Sequence, residues 1–294
     1  MTAGAFAPQR LGRGIALMLA TVTLFSFMDA TAKALTRDLP ILQIVWARYV
    51  LFFFIALAPA LRGGLPNLVR TRRHGLQLFR SAFLVASTLC ALTAYSHMPL
   101  ADANAIGSTA PLLVTMLSAL VLAEPVGVRR WSAVAAGFVG ALIIVRPGLS
   151  VFHWYAVLPL GAAVLYASYQ IATRVLSTVD PPATTLFWSG TVGAIVLSGA
   201  VPFVWVPPSA PQWGLLLLVG LLGSAAHLCI INALAAAPAS LLQPFAYVQL
   251  PIMVALGFVV FGDFPDTWTF VGAGIIVGGG LYAWHRTRVR AAQA

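Results

Sequence analysis

Three charged side chains lie within or beside long apolar stretches of the sequence, where a charge is costly and usually functional. Arg48 lies near the middle of the second stretch, Asp29 lies in the second half of the first, and Lys33 follows Asp29 by one helical turn. At 1.5 Å per residue, Asp29 and Arg48 fall within roughly 5 Å in depth on oppositely directed helices. The spacing indicates either a gate or carboxylate-binding site, or a buried ion pair that positions the two helices.

Two prolines, Pro111 and Pro251, lie near the middle of apolar stretches. Proline has no backbone N–H and frees a carbonyl of the preceding turn, which can then face a ligand. Ligand sites in membrane proteins often lie at such interrupted helices, so we expect a site here in preference to kinks needed only for packing. The polar side chains beside the two prolines are Ser108, Thr109, Tyr247 and Gln249.

Further aromatic and polar side chains lie at similar depth on other apolar stretches. Aromatic walls with a few hydrogen-bonding groups suit a small ligand that has an apolar body and a polar head. Each of these residues could instead pack in the core or face lipid, and His227 could shuttle a proton or only satisfy a hydrogen bond. The set is Phe25, Met28, Ser87, Thr88, Tyr166, Tyr169 and His227.

The composition shows which elements must hold these residues. Of 294 residues, 60% are hydrophobic and 8% are charged, whereas soluble domains carry roughly 25% charged residues. A transmembrane helix needs about 20 mostly apolar residues, and ten stretches meet that need. They are 14–35, 40–61, 76–97, 100–122, 130–146, 152–174, 183–204, 213–235, 238–260 and 267–285. The sequence therefore predicts an all-α polytopic membrane protein with ten transmembrane helices.

The two halves of the chain are related by a shift of 139 to 142 residues. At a shift of 139 Pro99 falls on Pro238, and at 140 Pro111 falls on Pro251. The superposition also equates Phe25 with Tyr166, Met28 with Tyr169 and Thr88 with His227. Five crossings in each half make the repeats inverted. We expect repeats at 14–146 and 152–285, flanked by tails at 1–13 and 286–294.

The first apolar stretch has a second interpretation, because it resembles a signal peptide ending at Ala32. The repeat requires this stretch as a helix, so we keep it as the first span.

The basic residues predict the orientation of the chain in the membrane. With both termini on one side, the connecting segments on that side hold twelve arginines, against three basic residues on the other side. Basic residues stay in the cytoplasm, so we expect both termini there.

Other classes of function have no support in the sequence. The net charge of +10 is scattered between apolar stretches and forms no patch that would bind nucleic acid. Cys90 and Cys229 lie within apolar stretches, without the spacing of a metal or redox site. We expect no enzyme, no metal and no other cofactor. A membrane-embedded enzyme or receptor is the rival class, but it would need a paired base and nucleophile or a soluble domain.

The segment 94–124, AYSHMPLADANAIGSTAPLLVTMLSALVLAE, resembles the signature of EamA-type permeases of the drug/metabolite transporter superfamily. In that family helix three passes through a small turn into helix four, which carries a central proline and ends in glutamate, here Pro111 and Glu124. The second copy, 233–263, keeps the proline but ends in Asp263. The resemblance covers essentially the whole chain.

This resemblance implies a 5+5 inverted repeat around a central cavity, in the inner membrane of a bacterium. It also implies a secondary transporter that exports small amphipathic metabolites by alternating access without ATP. The chain looks most like the amino-acid exporters of the superfamily, so aromatic and other apolar amino acids are the expected substrates. The alternative is a carrier of drugs, nucleotide sugars or nucleobases, with or without proton coupling. The expected partners are the small molecule, the lipid bilayer and at most a second copy of the chain, as a monomer or homodimer.

Overall fold

The computed structural model describes residues 8–58, 65–122, 128–145 and 154–291, and all regular structure in these ranges is helical. We number the spanning helices α1 to α10 and divide two of them at a break. They are α1 (Pro8–Leu35), α2 (Ile41–Leu57), α3 (His74–His97), α4a (Leu100–Gly107), α4b (Ala110–Val121), α5 (Val128–Val145), α6 (Val157–Leu176), α7 (Pro182–Ala200), α8 (Ala210–Ala236), α9a (Ala239–Ala246), α9b (Gln249–Leu256) and α10 (Thr267–Ala291).

Short elements connect some of these helices. A five-residue helix, Leu65–Val69, precedes α3, and single 3₁₀ turns at Trp154–Ala156 and Val201–Phe203 precede α6 and follow α7. The helix α9b continues as one π-helical turn, Gly257–Phe261. Helix extends into both predicted tails, because α1 begins at Pro8 and α10 ends at Ala291.

Length and apolarity identify the spans. Among the described residues, seven helical segments are long and apolar enough to cross a bilayer, and α4 and α9 each count as one despite their breaks. Three shorter apolar helices, Ile41–Leu57, Ala135–Val145 and Thr267–Gly279, complete the set. The prediction of an all-α membrane protein with ten spanning helices is confirmed.

The helices pack with an approximate two-fold symmetry that relates the two halves. Helix α1 packs along α8, and α3 packs along α6. Because the repeat equates α1 with α6 and α3 with α8, these two contacts are copies of one another. Two further pairs, α2 with α7 and α5 with α10, each join a helix to its own copy. The two halves therefore pack against one another across a pseudo-two-fold axis. We call the end of the bundle where α1 begins the first end, and the end where α1 finishes the second end.

Glycines allow the closest of these helix contacts. A Cβ atom on Gly140 of α5 would lie 2.7 Å from the carbonyl oxygen of Gly272 on α10, and one on Gly272 would lie 2.5 Å from the carbonyl oxygen of Gly140. Gly190 of α7 approaches the backbone of Phe53 on α2 in the same manner. Small residues at such crossings let the two backbones touch.

The contact between α5 and α10 yields a testable prediction. We expect Gly272→Ala to lower the free energy of unfolding by about 1–3 kcal/mol, because the added methyl group meets backbone that cannot rotate away. The matched control is Gly274→Ala on the same helix, where an added Cβ has nothing within 4 Å. Thermal unfolding of the purified variants in detergent measures the difference. Equal melting temperatures for the two variants would contradict this account of the packing.

Candidate functional site

A central cavity lies between the two halves. It encloses about 160 Å³ of space that the centres of water molecules could occupy. On α1 its wall runs from Met18 to Ala32, which is about 21 Å along the helix axis at 1.5 Å per residue. The cavity is therefore long enough for an elongated ligand. The sequence-predicted residues that line it are Phe25, Met28, Asp29, Arg48, Ser87, Thr88, Ser108, Pro111, Tyr166, His227 and Gln249.

An aromatic belt crosses the middle of the cavity. The ring of Phe25 on α1 stands edge-on to Tyr166 of α6, with 6.4 Å between the centroids. It also stands edge-on to the imidazole of His227, at 5.0 Å. Phe25 and Tyr166 are equivalent in the repeat, and equivalent residues meet only where the two-fold axis passes. The belt therefore marks the centre of the pseudo-symmetric structure.

A hydrogen-bonded chain of three side chains leads from this belt into the protein. Nη2 of Arg48 lies 2.8 Å from Nε2 of His227, and Nδ1 of His227 lies 3.2 Å from the hydroxyl of Tyr169. A guanidinium group only donates hydrogen bonds, so Nε2 must accept and the imidazole is neutral, with its proton on Nδ1. Tyr169 is fully buried behind the cavity wall and so orients His227 without lining the site.

Room for Arg48 comes from a glycine on the facing helix. A Cβ atom on Gly223 of α8 would lie 3.0 Å from both Nε of Arg48 and Sδ of Met28. Any larger residue at this position would push two cavity-lining side chains. In the present structure Nε of Arg48 is buried and has no hydrogen-bond partner.

The predicted ion pair between Asp29 and Arg48 does not form. Asp29 instead accepts a hydrogen bond of 3.5 Å from the hydroxyl of Tyr95, while Arg48 turns towards His227. Counting residues along each helix predicts depth but not direction around the helix axis, and that is where the expectation was wrong. Both charges still line the cavity.

Lys33 pairs with a residue from the other half of the chain. Its Nζ lies 3.1 Å from Oδ2 of Asp263 and 3.1 Å from the carbonyl oxygen of Met98, and it lies over the ring of Phe261. These contacts join the end of α1 to the α3–α4 and α9–α10 connections at the second end. Lys33 is therefore outside the cavity, and its geometry agrees with an ion pair that closes the bundle there.

The two interrupted helices are α4 and α9. Residues 108–109 separate α4a from α4b, and residues 247–248 separate α9a from α9b. Pro111 lies in the first turn of α4b and lines the cavity, and because it lacks an N–H, the carbonyl of Gly107 receives no bond from it. Ser108 and Gln249 also line the cavity beside these breaks.

Three residues near the breaks point elsewhere. Thr109 is buried and donates to the carbonyl oxygen of Ile106. Tyr247 is buried in a second apolar cluster that joins α4, α5, α9 and α10, and its hydroxyl has no partner. Pro251 is exposed on the outer surface. None of the three lines the cavity, because a turn at each break rotates neighbouring residues to different sides.

The sequence analysis missed a second buried arginine. Arg80 of α3 is fully buried and donates to the hydroxyls of Thr173 and Ser189, both at 2.7 Å, and to the carbonyl oxygen of Thr185 at 3.0 Å. Its guanidinium also lies 4.8 Å from the ring of Tyr169. An arginine one turn inside an apolar stretch usually extends to the membrane surface, and for that reason the sequence did not indicate this network.

It also missed four amide and hydroxyl side chains in the cavity wall. Gln170, Gln243, Asn104 and Tyr95 are all buried and all line the cavity. The side-chain oxygens of Asn104 and Gln243 have no hydrogen-bond partner. A single amide within an apolar run is a weak signal, but the repeat places Asn104 on Gln243, and that equivalence could have found them.

Glu124, which the family signature singled out, lies outside the described residues. Within the described ranges, no three His, Cys, Asp or Glu side chains are grouped so as to hold a metal ion.

Comparison with known proteins agrees with this architecture. The model of the EamA-like transporter family matches twice, at residues 12–146 and 153–283. A solved crystal structure superposes on 94% of this chain and 97% of its own with a TM-score of 0.70, at 19% identity, which shows the same fold.

Curated relatives cover nearly the whole chain. A riboflavin transporter of Vibrio cholerae is 32% identical over 90% of each chain. The pseudopaline exporter CntI of Pseudomonas aeruginosa is 28% identical over 91% of this chain and 94% of its own. An S-adenosylmethionine uptake transporter of Rickettsia bellii is 26% identical over 92% of each chain. The chain therefore belongs to the EamA-like transporter family of the drug/metabolite transporter superfamily, and it is a multi-pass membrane transporter of a small molecule, not an enzyme.

Proposed function

We propose that this transporter carries a flat heteroaromatic molecule of the riboflavin type across the membrane. The observation that carries the proposal is the form of the cavity, in which an aromatic belt is flanked by buried amide oxygens that lack partners. Relatives named as riboflavin transporters, from Vibrio cholerae, Brucella anthropi and Rhizobium johnstonii, are 31–32% identical to the chain and support this choice.

The chemistry of riboflavin fits the cavity wall. Its three fused rings are flat and would lie against Phe25 and Tyr166, since aromatic rings bind one another through faces and edges. Its dioxopyrimidine edge and its polyol chain carry N–H and O–H donors. Buried oxygens such as those of Asn104 and Gln243 accept these donors, and leaving such oxygens unpaired is costly. Arg48 supplies a donor for an oxygen atom of the ligand.

Aromatic and other apolar amino acids, the substrates expected from the sequence, are the second candidate. Asp29 and Arg48 favour it, because both line the cavity and are not paired with each other. An amino acid has an ammonium group for Asp29 and a carboxylate for Arg48. The named relatives carry other molecules, so this candidate ranks below the first.

The proposed mechanism is alternating access without ATP. The halves would rock about the two-fold axis and expose the cavity to one side and then the other. Contacts at the ends would have to break in turn, and the Lys33–Asp263 pair at the second end is one of them. We retain the expectations of both termini in the cytoplasm and a bacterial inner membrane. Substrate direction then follows the concentration gradient.

A counterflow assay tests this function. The purified full chain is reconstituted into liposomes loaded with unlabelled riboflavin, and entry of labelled riboflavin is followed. We expect entry well above that of protein-free liposomes, with competition by excess riboflavin but not by phenylalanine or leucine. Liposomes loaded with phenylalanine and given labelled phenylalanine form the parallel arm. Exchange of phenylalanine without exchange of riboflavin would replace the first candidate with the second, and exchange of neither would refute both.

A further inference from the structure

Two amide side chains in the cavity wall share an unusual state. Asn104 on α4a is 6% exposed and Gln243 on α9a is 2% exposed. Each has a side-chain oxygen that is buried without a hydrogen-bond partner, and each lines the cavity. A buried carbonyl oxygen without a partner is costly, so its presence at both positions indicates that a ligand donates the missing hydrogen bond to each oxygen.

The repeat relates these two positions and also their neighbours. A shift of 139 residues places Asn104 on Gln243, and a shift of 141 places Asp29 on Gln170. Gln243 donates through Nε2 to Oε1 of Gln170 at 3.0 Å. In the other half, the hydroxyl of Tyr95 donates to Asp29 at 3.5 Å, and both residues line the cavity together with Asn104. The halves thus hold equivalent polar sites with different chemistry.

We call Asp29, Tyr95 and Asn104 the acidic pole, and Gln170 with Gln243 the amide pole. Phe25 and Tyr166 meet at the pseudo-two-fold axis. Asp29 follows Phe25 by four residues, and Gln170 follows Tyr166 by four residues, on helices that run in opposite directions. At 1.5 Å per residue each pole lies about 6 Å from the axis, on opposite sides of it, so the poles are about 12 Å apart in depth.

We propose that a riboflavin-type ligand lies across the pseudo-two-fold axis, with its dioxopyrimidine edge at the amide pole and its polyol hydroxyls at the acidic pole. The proposal rests on the function proposed above. It assigns to Gln243 and Asn104 the discrimination between ligands at the two ends of the molecule. The fused rings then occupy the aromatic belt between the poles.

The chemistry of the poles gives the ligand its direction. A dioxopyrimidine edge presents an N–H flanked by two carbonyl oxygens, and glutamine amides offer both the acceptor and the donors that this pattern requires. The carboxylate of Asp29 would repel those carbonyl oxygens. It accepts hydrogen bonds from hydroxyl groups, which is what the polyol chain presents. The reverse orientation would place acceptors against acceptors at the acidic pole.

The test combines variants of the protein with variants of the ligand. Riboflavin, 3-methylriboflavin and lumiflavin are titrated against the full chain in detergent, and binding is read from quenching of flavin fluorescence. 3-Methylriboflavin lacks the N–H of the dioxopyrimidine edge, and lumiflavin lacks the polyol. We expect wild-type protein to prefer riboflavin to each analogue by about tenfold, the usual effect of one unpaired buried group.

Each variant should lose one preference and keep the other. In Gln243→Met we expect riboflavin to bind about tenfold more weakly and no better than 3-methylriboflavin, while its preference over lumiflavin persists. In Asn104→Leu most of the preference over lumiflavin should disappear, with a part retained through Asp29, and the preference over 3-methylriboflavin should persist. Because the preference is a ratio within one variant, a general loss of stability does not mimic it. Gln212→Met and Asn232→Leu, which lie outside the cavity, are the matched controls and should keep both preferences.

The outcomes separate this proposal from the function on which it rests. If wild-type protein binds riboflavin and Gln243→Met keeps its preference over 3-methylriboflavin, the placement of the ligand is wrong while the function stands. Exchange of the two losses between the variants would mean the opposite orientation. Wild-type protein that fails to quench riboflavin fluorescence would overturn the proposed function and this placement together.

Discussion

Replacing Arg48 with alanine is expected to lower substrate transport about a hundredfold while leaving the protein folded. Among the described residues that line the cavity, Arg48 is the one lysine or arginine, and it holds His227 in the tautomer that accepts its hydrogen bond. Loss of a charge-assisted hydrogen bond to the ligand costs about 2–3 kcal/mol, which corresponds to about two powers of ten in binding. The fold should survive, because Arg48 makes one side-chain hydrogen bond within the described part of the protein, to His227. Water in the cavity can replace this bond.

Transport in liposomes and thermal unfolding of the same preparation together measure this effect. Arg48→Lys keeps the charge but not the geometry of the guanidinium group, so it should recover transport only in part. Arg13→Ala removes an exposed arginine from α1 and should change neither quantity. A melting temperature for Arg48→Ala that falls far below that of wild type would instead assign Arg48 a structural role. Normal transport by this variant would remove it from the site.

The sequence predicted the fold well because membrane helices follow one strong rule. Each backbone polar group must be satisfied inside the lipid, so every sufficiently long apolar stretch becomes a helix. The rule is least certain for helices whose apolar segments are short. Helices α2, α5 and α10 have shorter apolar segments, Ile41–Leu57, Ala135–Val145 and Thr267–Gly279. The sequence analysis counted all three by apolar length, and the repeat and the distribution of arginine supported the count of ten.

The site was predicted less completely, because it depends on direction around each helix as well as on depth. Counting residues placed Asp29 and Arg48 at one depth, yet Arg48 turns to His227 and Asp29 to Tyr95. Thr109 lies next to the cavity-lining Ser108 but faces the core. A period of 3.6 residues per turn separates neighbours by about 100°, so one position decides whether a side chain lines the cavity.

Arg80 illustrates what sequence reasoning omits when a charge lies near the end of a span. The position allows two outcomes, extension to the membrane surface or complete burial, and only the surrounding helices decide between them. Here α6 supplies Thr173, and α7 supplies Ser189 and the carbonyl of Thr185. These groups accept hydrogen bonds from the guanidinium. That set comes from residues about 100 positions away in the sequence.

We therefore expect removal of Arg80 to lower the free energy of unfolding by more than any change to Arg48 does. In Arg80→Ala we expect the free energy of unfolding to fall by about 3–5 kcal/mol, as for other buried charge networks that lose one partner. The variant would leave a void between α3, α6 and α7 and would remove the donor from four buried acceptors, of which Oε1 of Gln77 on α3 is the fourth. For a chain of this size, such a loss lowers the melting temperature by about 10 °C.

Thermal unfolding of Arg80→Ala, Arg80→Lys and Arg72→Ala in detergent measures this effect. Arg72 is exposed, so its replacement should leave the melting temperature unchanged. Arg80→Lys keeps a charge, but a lysine cannot reach Thr173 and Ser189 with separate donors in a fixed plane. The melting temperature of this variant should therefore lie between those of wild type and Arg80→Ala. The comparison with Arg48 is the decisive part, because both residues are buried arginines of spanning helices. If Arg80→Ala melted like wild type but failed to transport, Arg80 would join Arg48 in the functional site, and its hydrogen bonds to α6 and α7 would be a moving part of the transport cycle.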